Sequence, residues 1–145
     1  CLNRPRLLAL LLLLAGYGPA GVARETLLPY LWPESGAAQA DASLRQALAA
    51  LRRAFGPDAL RTTPGRVALD PARVDVDLWR FEAAAARGDA DAALAEHGGA
   101  FAQGFVAPHG LVELARWLDA RRAAVHERLV AVLEAALAAR ERAGD

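Results

Sequence analysis

Apolar residues crowd the start of the chain and then recur at intervals of three and four. Every position from Leu7 to Ala15 is Leu or Ala, and the run meets Gly16, Gly18 and Pro19, the pattern of a helix and its terminators. Val22, Leu27, Leu28, Leu31 and Trp32 follow at helical spacing, with Glu25 near the positive end of the dipole and Pro33 as a stop. They predict a second, short helix. Pro29 lies inside it, near enough to the start that its carbonyl clash falls where it costs least. A third helix opens near Gln39 to Asp41. Its residues Leu44, Leu48, Leu51 and Phe55 make one apolar stripe, leaving Ser43, Arg45, Gln46, Ala49, Ala50, Arg52 and Arg53 off it, and Gly56 with Pro57 ends it. Two extended stretches, 60–62 and 66–69, are joined by Pro64 and Gly65, a pair suited to a tight turn.

Three helices and a hairpin, the hairpin directly after an Arg-bearing third helix, is the order of a winged helix. From Val76 onward the chain reads as helix throughout. One helix is capped around Asp75 to Asp77 and closed by Gly88, and a short one, "ADAALAEH", is closed by Gly98 and Gly99. After the irregular "AFAQGFVAPHG" a long helix runs from about Leu111 to Arg140, with Leu111, Leu114, Leu118, Val125, Leu129, Val132 or Leu133, and Leu137 on its apolar side. The predicted fold class is mainly α. It comprises a winged helix-turn-helix of three helices plus a β-hairpin wing over residues 1–73, then a TPR-like helical segment over 74–145.

With 54% hydrophobic residues the chain can bury a core, which argues for a folded protein over disorder. The net charge is zero but unevenly divided. Residues 1–73 hold nine arginines against five acids, and 74–145 hold eight against twelve. The whole-chain value points to neither nucleic acid nor membrane, but the front half is basic and the back half acidic. All seventeen basic residues are Arg, a feature that with the Ala content reflects base composition and carries no functional weight. Cys1 is the sole cysteine, so no disulfide forms within the chain and no cysteine-based metal site exists.

The opening run admits a second interpretation. A basic start, an apolar stretch and a small-residue tail also describe a secretory signal peptide. The core-helix reading is preferred, because a chain beginning near Val22 would lack an apolar helix to pack against Leu27, Leu31, Leu48 and Leu51. It goes with a cytoplasmic location. The run is too short to cross a bilayer as a helix, so no membrane partner is expected.

The "LWPE" that ends helix two, the "LRQAL…LRRAFG" of helix three and the hairpin after it resemble the winged helix of the Streptomyces antibiotic regulatory protein (SARP) type, a branch of the OmpR/PhoB-like DNA-binding fold. The stretch "VDVDLWRFEAAAARGDADAALAEHGGAFAQGF" with "ARWLDARRAAVHERL" is similar to the bacterial transcriptional activator domain that follows it in that family. The resemblance implies a cytoplasmic transcriptional regulator. Its first half would bind double-stranded promoter DNA and its second would recruit RNA polymerase or associate with a fused signalling domain. In the family a small β-sheet precedes helix one and further helix pairs follow the activator segment. Here only Cys1 to Asn3 precede helix one and the chain stops after the third activator helix, so the resemblance implies a fragment.

A helix reading the major groove needs side chains that reach base edges and cations that hold phosphates. Ser43, Arg45, Gln46, Arg52 and Arg53 supply those types, with Gln46 suited to adenine and an Arg to guanine. In the wing, Arg61, Thr62, Thr63 and Arg66 could donate to phosphate or enter the minor groove. The plainer alternative for both sets is a solvated amphipathic helix and a hairpin that merely closes the domain. Ala49 and Ala50 occupy part of the exposed face and weaken base-specific reading.

No catalytic constellation is present. His97, His109 and His126 lie in separate segments without metal-ligand spacing, the acids Asp75, Asp77, Asp89 and Asp91 read as helix caps, and no phosphate-cradling glycine motif occurs. Neither enzyme activity, cofactor nor metal is expected. Trp79, Phe81, Phe101, Phe105 and Trp117 are expected in the core, docking the short helices on the long one, and the charged residues of the long helix on a solvated face. Two competing classes remain. One is a protein–protein interaction module of a larger signalling protein with degenerate DNA binding, and the other is an exported helical protein.

Overall fold

The computed structural model describes residues 4–97 and 101–144, so Cys1 and the Gly98–Gly99 terminator lie outside the described residues. The chain is mainly helical with one small antiparallel sheet. Its elements are α1 (Arg4–Tyr17), β1 (Val22–Ala23), α2 (Arg24–Leu31), α3 (Ala37–Phe55), β2 (Leu60–Thr63), β3 (Arg66–Leu69), α4 (Asp77–Ala86), α5 (Ala90–Glu96) and α6 (Val112–Arg142). None of the described helices is long and apolar enough to cross a membrane. The chain forms two compact units, one of Cys1–Asp75 with Phe105–Trp117, the other of Val76–Gly104 with Leu118–Asp145.

In the first unit the leucine run does become a helix, and its burial is one-sided. Leu10, Leu13 and Leu14 are fully buried, whereas Leu8 is 45% exposed. Helix α1 packs on α2, α3 and β3. Leu27 and Leu31 of α2, Leu44 and Leu48 of α3, and Val67 and Leu69 of β3 complete the apolar centre. Of the two candidate stops, Gly16 lies buried within the helix, and Gly18 turns the chain, its N–H donating to Ala15 O.

The structure departs from two sequence expectations in this unit. Val22, assigned by spacing to the second helix, is a strand residue. It pairs with Val67 and Ala23 pairs with Arg66, so the hairpin gains a third strand in the order β1-β3-β2. Backbone pairing to β3 overrides helical spacing there, and α2 starts only at Arg24. Phe55, placed on the apolar stripe of the third helix, is 54% exposed. It is the last residue before Gly56, and the stripe it continues is buried only through Leu51.

Within this unit Trp117, in the second turn of α6, stacks on Tyr17 with ring planes 6° apart and centroids 5.9 Å apart, and meets Tyr30 edge-on at 6.3 Å. Residues 105–117 therefore group with the first unit, although the order of sequence elements places the boundary at 73/74. Burial, the hydroxyl contact with Tyr17 at 3.3 Å and the nearby Glu113 carboxylate push the Tyr30 phenol up to about 12. A folded-state value above the ordinary 10 means that its contribution to stability is complete below pH 10 and is lost as pH rises from 10 to 12. Phenolate absorbance should therefore rise in a late phase that Tyr30→Phe removes. A titration curve identical in the two proteins would contradict this.

In the second unit α4 and α5 pack on each other, burying Phe81, Ala84, Ala85 and Ala93. The Asp89 carboxylate accepts from Ala92 N–H at 3.0 Å and caps α5, the role its spacing suggests. Leu118, Val125, Leu129 and Val132 form the buried side of α6, so of the alternatives Val132 and Leu133 it is Val132 that faces inward, while Leu137, assigned to that side by periodicity, is 60% exposed. Arg121 donates to Glu82 at 2.7 Å, and Arg122 donates to the carbonyls of Phe101 and Ala102 at 2.9 Å each. Of the five aromatic residues expected in the core, Phe81 and Phe101 are buried, whereas Trp79, Phe105 and Trp117 are half-buried.

Candidate nucleic-acid interface

The candidate residues fall on two adjoining elements of the first unit. Leu44, Leu48 and Leu51 turn one side of α3 inward, so residues two helical turns apart share the faces that remain. Gln46 and Arg53 lie opposite the buried side and are exposed. Neither side chain makes a hydrogen bond or ion pair among the described residues. Arg45 and Arg52 share an edge with Asp41. Arg45 is exposed and bridges Asp41 at 3.3 Å, one turn back, while the same carboxylate also receives Arg24 at 3.4 Å. Ser43 is half-buried on the other edge. Arg52 and Arg53 occupy the last turn of the helix, where positive charge complements the negative end of its dipole.

A side-chain hydrogen bond links helix and hairpin. The Arg52 guanidinium donates to the Thr62 hydroxyl at 3.3 Å, setting the C-terminal end of α3 beside β2. The hairpin is in register from Leu60 opposite Leu69 to Thr63 opposite Arg66, and Arg61, Thr62, Thr63 and Arg66 are all exposed. Its arginines are not free ends. Arg61 donates to the Pro19 carbonyl at 3.0 Å, and Arg66 donates to Gly21 O at 3.0 Å and more weakly to Ala20 O at 3.5 Å. With Thr63 and the Pro19–Ala20 segment they border a concavity of ≈ 350 Å³.

The residue types of this surface are legible in the sequence, but two of their partners are not. The turn of residues 18–21 reads in sequence only as a helix terminator, yet its carbonyls orient both hairpin arginines across more than forty residues of chain. No local signal announces such a contact. The Asp41–Arg45 pair, by contrast, has the i, i+4 spacing of a helical ion pair, a signal that could have found it. Among the described residues no group of three or more His, Cys, Asp or Glu is placed to hold a metal ion. No protein-family model and no curated protein matches the chain.

Proposed function

We propose that the protein is a DNA-binding transcriptional regulator whose first unit acts as a winged helix-turn-helix. In this reading α3 enters the major groove, the β2–β3 hairpin is the wing, and the helical second unit is a TPR-like activator segment contacting RNA polymerase or a fused signalling domain. The observation that carries the reading is the Arg52–Thr62 bond, which sets the C-terminal end of α3 beside the β2–β3 hairpin. Gln46 and Arg53 are the unengaged groups on that face and the first candidates for base edges. Arg45, Arg61 and Arg66 are exposed cations suited to phosphates, which compete for N–H donors already aimed at carbonyl or carboxylate oxygen. The role is binding without turnover, and a cytoplasmic location goes with it.

A second reading has its own support. Arg45, Arg52, Arg61 and Arg66 all hold intramolecular partners, and Ala49 and Ala50 leave part of the exposed face without reach. These features suit an interaction module that has lost affinity for DNA. Fluorescence anisotropy of the whole chain with duplex DNA across a salt series separates the two. A regulator binds with an affinity that falls steeply as salt rises, and Arg45→Ala flattens the log–log slope by about one for the phosphate that is no longer neutralised. Absence of binding at low salt by a folded chain decides for the interaction module.

A further inference from the structure

The C-terminal half of α6 carries a second apolar stripe that its own unit leaves in solvent. Val130 and Leu133 are each 38% exposed and Leu137 is 60% exposed. Their spacing of three and four puts them on one face, with His126 one turn earlier, roughly a third of the way round the helix from the buried Val125, Leu129 and Val132. Glu127, Glu134 and Glu141 recur every seven residues, so they line one edge of that stripe, on the side away from the buried face. All three are exposed, and none of their carboxylates has an ion pair or hydrogen bond among the described residues. The other edge presents Leu129 and Ala136, and the exposed Arg140, seven residues beyond Leu133, stands only at the C-terminal end of the stripe.

We propose that this face docks a basic amphipathic helix, its apolar side chains against Val130, Leu133 and Leu137 and its Lys or Arg side chains over the glutamate row. The charge pattern selects the occupant. A second copy of α6 laid antiparallel sets the glutamates of one chain against those of the other, and laid parallel it offers them Leu129 and Ala136. Arg140, seven residues beyond Leu133, is an exposed cation on this face, so either arrangement leaves at least two of the three carboxylates of each copy unmatched. An anionic lipid surface is repelled by the same row. The docking face lies wholly in the second unit, so it stands whether or not the first unit binds DNA.

The test is binding of the whole chain to a fluorescein-labelled synthetic helix of about three heptads, with Leu at the core positions and Lys at the flanking ones. Its control is a twin carrying Glu in place of each Lys. The basic peptide is expected to bind at least about tenfold more tightly than its twin, with a preference that shrinks as salt rises. Glu127→Gln/Glu134→Gln/Glu141→Gln should remove most of that preference while leaving the circular dichroism spectrum unchanged. Leu133→Asp should weaken binding of the basic peptide. Equal binding of both peptides, or binding of neither by the folded chain, would overturn the proposal. So would a dimer in sedimentation that Leu133→Asp converts to monomer, because the face would then be occupied by a second copy.

Discussion

Gly21→Ala is expected to destabilise the first unit by about 2–5 kcal/mol, and Gly18→Ala by only about 1–2 kcal/mol. The two glycines have nearly the same backbone, φ +88° and +86°, a left-handed conformation that penalises any residue with a Cβ. Their surroundings differ. A Cβ at Gly18 meets nothing within 4 Å, whereas at Gly21 it would stand 2.7 Å from Val67 O and 2.9 Å from Ala68 Cβ. Neither neighbour can yield cheaply. Val67 is held in the middle strand of the sheet, opposite Val22 on one side and Thr62 on the other. The Gly21 carbonyl is also an acceptor for Arg66, so displacing this backbone loosens one anchor of the hairpin. Urea unfolding of the three proteins at unchanged m reads the comparison directly. Coincident midpoints for the two variants would show that conformation alone, and no close approach to β3, requires glycine at residue 21.

The close approach of Gly21 to β3 also marks the limit of what the sequence discloses. The helices are legible because their signals are local: the Leu44, Leu48 and Leu51 stripe, the Gly56 stop, the Asp89 cap. The hairpin is legible from Pro64–Gly65 between two short extended stretches. Strand β1 is not. Two residues cannot show an alternating pattern, and Val22 fits a helical spacing as well as a strand, so only its partner Val67, forty-five positions later, decides between them. Position along α6 is misjudged for a related reason. Periodicity identifies apolar residues that could share a face, but burial depends on what packs there. Val125, Leu129 and Val132 are buried, whereas Leu137, expected beside them, remains open. For the candidate interface, exposure and residue type are readable in Arg45, Gln46 and Arg53. The engagement of Arg61 and Arg66 with the turn at Pro19–Gly21 is not, since it arises only when distant segments meet.

Leu13→Ala is expected to cost about 3–5 kcal/mol and Leu8→Ala less than about 1 kcal/mol, although both belong to one unbroken run of Leu and Ala. Leu13 is fully buried on the side of α1 that also carries Leu10 and Leu14, so its truncation opens a cavity within a helix packed on α2, α3 and β3. Leu8 is 45% exposed, and its loss removes little burial. Chemical denaturation of the two variants distinguishes a core helix from a merely apolar leader. A leader that makes no specific packing gives two small and similar effects, whereas a helix with a defined inner face gives a large one only at Leu13. The outcome bears on the candidate interface as well. The helix α3 that carries Arg45, Gln46 and Arg53 and the strand β3 that carries Arg66 both rest on α1, so a loss at Leu13 large enough to unfold the unit should also abolish any affinity for DNA. Leu8→Ala, on the same helix, should leave that affinity intact. Loss of DNA binding in both variants would place Leu8 in the binding surface and contradict an interface built from α3 and the hairpin.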